Sequence, residues 1–372
     1  MNIAFVSWWG FHFGAGGIEA AAARVAVALR EHGHHLCFVA REEFKPIEGI
    51  ESLSLPDKRG VNTTPNREAL LRFFGENNID IIVSHFAYNR ELSALLRYVA
   101  DRIGAKLCIV LHTTPDYYKK ERKDNKILNY LSALNRARRV LPILHSMHKC
   151  GDAVVLLSPR YIPIYQKIVG KPRARVLAIP NPNTYLTPRD PLVEKENIVV
   201  YVGRMAKEKK VDRVLQIWEK VHREFPEWRL ELIGDGDQLE PLKHQAEALG
   251  LSHYTFYGAQ DSRHYVERAK ILLLTSDYEG WGLVITEALK MGTVPMSFNS
   301  YAALPEIVDD GRVGVMVEPY DLDAYAVALR ALMTDGEKRE RMSREGMEWV
   351  KRYDIESVVP MWEQLFNELT EK

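Results

Sequence analysis

Apolar residues in this chain gather in short continuous runs rather than in strict alternation. The first half carries "MNIAFVSW", "HLCFVA", "IDIIVSH", "AKLCIVLH", "DAVVLLS" and "ARVLAIPN". Such runs, rich in β-branched residues and bounded by turn formers, predict strands of a parallel sheet covered on both faces. Between them the apolar positions fall at helical spacing, as over Ile18–His32, where Gly33 offers a C-cap. The pattern restarts with "NIVVYVGR", "RLELIGDG", "YTFYGA", "KILLLTSD", "TVPMSF" and "VGVMVEP", with helices expected over Val211–Phe225 and Leu239–Leu249. Separating the two series, "IPNPNTYLTPRDP" (Ile179–Pro191) has four prolines and no periodicity, as a linker does. The expected architecture is α/β: two Rossmann-like domains facing a cleft, over residues 1–182 and 190–352. The last stretch, 353–372, contains the amphipathic "SVVPMWEQLFNELTEK" and is expected to cross back to the first domain.

Composition agrees with two globular domains, since 372 residues at 46% hydrophobic can bury two ordinary cores. Cys37, Cys108 and Cys150 are odd in number, lack metal-like spacing and sit in or beside apolar segments, which points to buried thiols in a reducing compartment. The N-terminal stretch lacks the basic and long apolar regions of a signal peptide, and no apolar run approaches the ~20 residues of a spanning helix. A cytoplasmic protein is expected. The net charge of zero hides an asymmetry: residues 1–185 carry 26 Lys and Arg against 16 Asp and Glu, leaving 24 against 34 from the totals of 50 and 50. Much of the basic excess lies in "YYKKERKDNK" and "RARR" (Tyr117–Lys126, Arg136–Arg139), interleaved with Tyr117, Tyr118, Tyr130, Leu131 and Leu134. Two readings stay open for it: a solvated helix face, or an amphipathic basic surface resting peripherally on anionic membrane at the inner face. No nucleic-acid partner is expected.

Open α/β sheets bind ligands at the carboxyl ends of their strands, so the strand-to-helix loops are where chemistry is sought. In the first domain, "SWWGFHFGAGGIEAAAARVA" passes through Gly16 and Gly17 into a helix whose first amides face an anion. It is not G-x-G-x-x-G, and a tight structural turn is the alternative. In the second, "VGRMAKEKKVD" ends a strand with Arg204 and Lys209, two cations suited to a diphosphate. Further on, "SDYEGWGLVITEALKMGTVP" sets Glu279 and Glu287 apart by seven residues around Gly280, Trp281 and Gly282. The helix starting at Leu283 and Val284 points its N–H groups at phosphate, and Glu287 falls one turn in.

Together these segments resemble the family 4 glycosyltransferases, retaining enzymes of the GT-B fold. "EGWGLVITEA" is similar to their E-x7-E signature, "GRMAKEKKVD" to their G-R-x-x-x-E-K-x-x-D segment, "GGIE" to their N-terminal Gly-rich loop and "IPNP" to the start of their linker. "LIGDGDQLEPLKHQAEALGL", "YGAQ" and "PEIVDDGRVGVMVEP" match further segments in the same order, so the resemblance covers nearly the whole chain. It implies transfer of a hexosyl unit from a nucleotide-sugar donor, expected as a UDP-sugar, to a hydroxyl of a glycan or lipid-linked acceptor in cell-surface polysaccharide synthesis. It also implies roles: Glu279 holds donor-sugar hydroxyls, Glu287 the ribose, Arg204 and Lys209 the diphosphate, and His112 stands beside the sugar. His85 sits comparably and is a candidate for the acceptor side. No cofactor and no metal are expected.

The sequence departs from the family pattern where Trp281 replaces the commoner Phe, where "FNSYAALPEIV" lacks Gly-Gly before Pro-Glu, and where no acid follows His112. These leave the donor sugar open. Two look-alikes are set aside: "HGHH" (His32–His35) straddles a helix end, where its rings are expected to diverge, and "DGD" (Asp235–Asp237) reads as a turn rather than a metal-binding D-x-D. The alternatives are a GT-B sugar-nucleotide epimerase and a non-catalytic carbohydrate binder that stacks sugars on Trp8, Trp9, Phe11, Phe13 and Trp281. A pure binder has no use for a diphosphate clamp.

Overall fold

The computed structural model describes residues 1–11, 17–86, 89–119, 126–170 and 173–371. Two compact units divide it: Met1–Thr184 joined by the segment from Tyr353 onward, and Tyr185–Arg352.

The first unit is built on seven parallel strands, β1 (Asn2–Ser7), β2 (His35–Ala40), β3 (Glu51–Ser54), β4 (Ile81–Ser84), β5 (Lys106–Leu111), β6 (Ala153–Leu156) and β7 (Arg175–Ala178), in the order β3-β2-β1-β4-β5-β6-β7. Helices cover the sheet, so central residues such as Phe5, Ile82, Ile109 and Val154 are fully buried, as the continuous apolar runs require. Only β3 escaped the sequence reading. It lies at the sheet edge and reads "ESLS", with none of the apolar character a central strand needs. In the helix Arg90–Ile103, the Asn89 side chain accepts from the amides of Glu91 and Leu92 at 2.8 and 3.0 Å, and Gly104 closes the helix in the left-handed conformation. The helix Ile355–Thr370 packs on the helix Gly17–Glu31, burying Val358, Val359, Trp362, Leu365 and Phe366.

In the second unit six parallel strands, β8 (Glu196–Val202), β9 (Arg229–Ile233), β10 (Tyr254–Gly258), β11 (Ala269–Leu274), β12 (Val294–Phe298) and β13 (Val315–Val317), run in the order β10-β9-β8-β11-β12-β13. Its core joins Val199, Tyr201, Leu215, Trp218, Leu230, Leu273 and Phe298. The helix expected over Val211–Phe225 stops at Glu219. Beyond it Lys220, Val221 and Glu224 close i→i+3 turns on Ile217, Trp218 and Val221, so the chain tightens before Pro226. In both units the sheet order reverses direction beside the first strand, β1 against β4 and β8 against β11, which is where such sheets open for ligands.

Among the described residues, no helix is long and apolar enough to cross a membrane.

Candidate active site

The second unit gathers most of the sequence-derived candidates on the loops after β8 and β11. Beyond β8 the chain turns at Gly203 and runs against the loop after β9. The Met205 amide donates to Asp235 O at 2.8 Å, and the Gln238 amide returns to Met205 O at 2.9 Å. Here the backbones touch: at Gly234, φ +144°, a Cβ would stand 1.9 Å from Gly203 O. The "DGD" stretch is therefore a turn that buttresses the Arg204 loop. Lys207–Lys209 then form one 3₁₀ turn.

The loop after β11 docks on that turn. The Thr275 hydroxyl donates to Lys210 O at 2.8 Å, and the Asp277 amide to Glu208 O at 3.0 Å. Arg213 reaches across to the Asp277 carboxylate at 2.8 Å, while its guanidinium lies 4.3 Å from the ring centre of Tyr320. Burial raises the Asp277 pKa, against the pull of Arg213. So fixed, the two loops bring Lys209 Nζ to Glu279 Oε1 at 2.7 Å, with side chains only 25% and 12% exposed. Arg204 is exposed and pairs instead with Glu208, four residues on. The Tyr201 hydroxyl donates to Arg204 O at 3.3 Å; burial, and then the Glu279 charge, push its pKa up.

Past Glu279, Gly282 adopts a left-handed conformation (φ 80°, ψ 54°) as N-cap of the helix Leu283–Lys290, which takes no side-chain cap. A Cβ at Gly282 would lie 2.6 Å from Tyr301 Oη, so this tight start admits glycine alone. Leu283 and Val284 are half-buried, while Ile285, Thr286, Ala288 and Leu289 are buried. Glu287, one turn in, is half-buried, and its charge adds to burial in raising the pKa of Tyr185, whose hydroxyl lies 2.9 Å from Ser262 Oγ.

In the first unit His112 directly follows β5 and His85 directly follows β4. Both are buried, and His85 Nδ1 lies 3.0 Å from His112 Nε2. Burial lowers the His112 pKa to about 3, and burial, then His112, take His85 well below its ordinary value. Both rings are thus neutral at physiological pH. Gly17 is exposed at the first position of its helix; Gly16 and Phe13 lie outside the described residues. Phe11 and Trp281 are buried, so neither stacks a sugar from the surface, whereas Trp9 is 58% exposed.

One expectation about histidines is corrected. The rings of His32 and His34 do not diverge: both approach Glu363 Oε1 at 3.1 Å, because the helix Ile355–Thr370 lies alongside, and only His35 turns away, to Asn77. Among the described residues no cluster of three or more His, Cys, Asp or Glu side chains could hold a metal. The contacts Arg213–Asp277, Arg204–Glu208 and His85–His112 were not foreseen. The first and third span 64 and 27 positions, and no local spacing announces them.

Two Rossmann-like units, each a parallel sheet covered by helices, have the GT-B architecture. The chain belongs to the group 1, family 4 glycosyltransferases: residues 187–349 match "Glycosyl transferases group 1" and residues 15–182 match "Glycosyltransferase Family 4". It is 32% identical to an exopolysaccharide phosphotransferase of Streptomyces coelicolor over 59% of this chain and 24% of that one. It is 24% identical, over 95% and 96% of the two chains, to a Campylobacter jejuni α-1,4-N-acetyl-D-galactosaminyltransferase acting on GalNAc-α-(1->4)-GalNAc-α-(1->3)-diNAcBac-PP-undecaprenol. The crystal structure of Anabaena HepE in complex with UDP superposes with a TM-score of 0.76 at 17% identity, covering 99% of this chain and 100% of that one. The chain spans between 24% and 64% of the length of three of the curated relatives it matches.

Proposed function

We propose that this protein is a retaining glycosyltransferase that moves a hexosyl unit from a UDP-sugar to a hydroxyl of a glycan or lipid-linked acceptor in cell-surface polysaccharide synthesis. The observation that carries this reading is the Lys209–Glu279 pair, held at 2.7 Å between the β8 and β11 loops and followed at once by the helix start at Gly282. A phosphate-binding cation, a hydroxyl-binding carboxylate and a helix N-terminus are the three groups a sugar diphosphate needs. Relatives support the same direction, since the Campylobacter enzyme is named for transfer to an undecaprenol-linked glycan and HepE was crystallised with UDP.

In this reading Lys209, Arg204 and the amides at Leu283 and Val284 bind the diphosphate, Glu287 the ribose, and Glu279 and His112 the sugar. The acceptor oxygen attacks the anomeric carbon on the face the nucleotide leaves. The bond from that carbon to the phosphate oxygen breaks, and the diphosphate takes the hydroxyl proton. Charge developing on the leaving group is met by groups already in place, the electrostatic role that dominates many enzymes. Protein groups compensate the diphosphate, so no divalent metal is required. The helix Lys126–Cys150 exposes Ile127, Leu128, Tyr130, Leu131 and Leu134 along with Arg138 and Arg139, and this face rests on anionic membrane.

Incubating the protein with UDP-glucose, UDP-galactose, UDP-N-acetylglucosamine and GDP-mannose in excess EDTA, and following the anomeric protons by NMR, tests the reading. Slow hydrolysis of a UDP-sugar with release of the α-anomer is expected. Release of the β-anomer, or turnover only after Mg²⁺ or Mn²⁺ is added, contradicts it.

A further inference from the structure

The His85–His112 pair has a property that neither ring has alone. Both rings are buried and neutral, so the 3.0 Å contact between His85 Nδ1 and His112 Nε2 must consist of one N–H and one lone pair. The two outer nitrogens, His85 Nε2 and His112 Nδ1, are buried and meet no hydrogen-bonding partner among the described residues. If His112 donates within the pair, the outer N–H is on His85; if His85 donates, it is on His112.

The surroundings decide between these. The His85 ring is stacked on Phe5 at 5.1 Å between centroids, meets the Phe11 ring edge-on at 6.4 Å, and has Trp362 at 6.3 Å. None of these rings offers a nitrogen or oxygen lone pair, so an N–H on the buried His85 Nε2 would be an orphaned donor, a rarer and costlier fault than an orphaned lone pair. His112 Nδ1 belongs to the residue directly after β5, at the carboxyl edge where such sheets take their ligands, and among the described residues no aromatic ring besides His85 packs against it. Placing the outer N–H there leaves the lone pair in the aromatic wall and gives the donor to whatever binds at the edge.

We propose that His85 is a positioning residue: it donates from Nδ1 to His112 Nε2 and so holds His112 as the Nδ1–H tautomer, which presents its N–H to a hydroxyl oxygen of the bound sugar. The second half of this statement rests on the donor-site reading above; the first does not. His85 Nδ1 keeps its proton throughout, and nothing is transferred between the rings.

Nitrogen-15 NMR of histidine-labelled protein reads the tautomer directly. In the wild type, His112 should show a protonated Nδ1 and a bare Nε2, unchanged between pH 5 and 8. His85→Phe removes the donor and should return His112 to the Nε2–H form. His85→Asn, whose side-chain amide stands near the Nδ1 position, should keep the wild-type pattern. A wild-type His112 protonated at Nε2, or a pattern unmoved by His85→Phe, overturns the proposal. If His85→Phe does not fold, the wild-type spectrum and that of His85→Asn still decide. In UDP-glucose hydrolysis, His85→Phe should lower kcat roughly tenfold, as for one lost hydrogen bond, while KM moves less than about threefold and His85→Asn restores kcat. A plain structural role would lower the amount of folded protein without moving the tautomer. Failure of the donor-site reading is distinct, because it shows as no UDP-sugar turnover in a wild type whose His112 tautomer is still as stated.

Discussion

Replacing Glu279 by Gln separates two jobs that the free protein gives to one carboxylate. In the structure that carboxylate neutralises Lys209 at 2.7 Å, with both side chains largely buried. At an effective dielectric near 20 the Coulomb attraction over that distance is about 6 kcal/mol before lost hydration is counted. After that loss, the net is the roughly 1.5–3 kcal/mol of a hydrogen bond between charged groups. Glu279→Gln should therefore destabilise the second unit by about 2 kcal/mol, lowering its melting temperature by roughly 4–8 °C. The same change removes a negative charge that competes with a diphosphate for the Lys209 ammonium, so UDP should bind more tightly, roughly tenfold. UDP-sugar should gain less, because the sugar loses its carboxylate. Calorimetric titration of wild type and variant with UDP and with UDP-glucose, alongside thermal melts, measures each quantity. A folded Glu279→Gln protein that binds UDP as weakly as the wild type, or more weakly, refutes the idea that Lys209 is shared between Glu279 and the nucleotide.

Three further perturbations follow from the structure. Gly282→Ala puts a side chain in the left-handed region and a Cβ 2.6 Å from Tyr301 Oη, so it should cost at least about 1–2 kcal/mol in thermal melts, part of which Tyr301→Phe in the same chain should recover. Lys195 donates to Ala269 O at 2.8 Å and Thr293 Oγ1 at 2.7 Å, and burial, then Arg189, lower its pKa from 10.5 to about 6. The unfolded chain thus binds a proton the folded one refuses between these values, so wild-type stability should rise with pH from 6.5 to 9.5 more steeply than that of Lys195→Met; parallel melting curves contradict this. On vesicles rich in anionic lipid at low salt, replacing Arg138 and Arg139 by Ala should weaken co-sedimentation roughly thirtyfold, at about 1 kcal/mol per cation. Equal recovery on neutral vesicles makes the helix a plain solvated face.

The strands of both sheets were legible because each central strand is buried on both sides and must be apolar throughout, as "LCIVL" in β5 and "ILLL" in β11 show. β3 was not, because at the sheet edge, where burial makes little demand, its "ESLS" carries a single apolar residue, whereas the other edge strands keep apolar runs. The local build of the candidate segment was legible because it lies in one short stretch: Glu279, Gly282 and Glu287 sit on a single loop and helix, and Gly282 takes the left-handed conformation only glycine adopts freely. What stayed hidden depends on which loops are neighbours. Lys209 and Glu279 are 70 positions apart and were joined only through the family resemblance, since nothing near either residue says that adjacent parallel strands β8 and β11 bring their loops together. His85 and His112 likewise follow adjacent strands, so their contact is a consequence of sheet order rather than of either sequence motif.

The central claim is that the loop and helix from Glu279 to Lys290 hold a nucleotide diphosphate through groups of the protein itself. Calorimetric titration of UDP into the wild type and Glu287→Gln, both in excess EDTA, tests it most directly. Saturable binding to the wild type is predicted, weakened roughly tenfold to a hundredfold in Glu287→Gln by loss of one charge-assisted hydrogen bond of about 1.5–3 kcal/mol to the ribose. No saturable binding by the wild type, or identical binding by a folded Glu287→Gln protein, contradicts it.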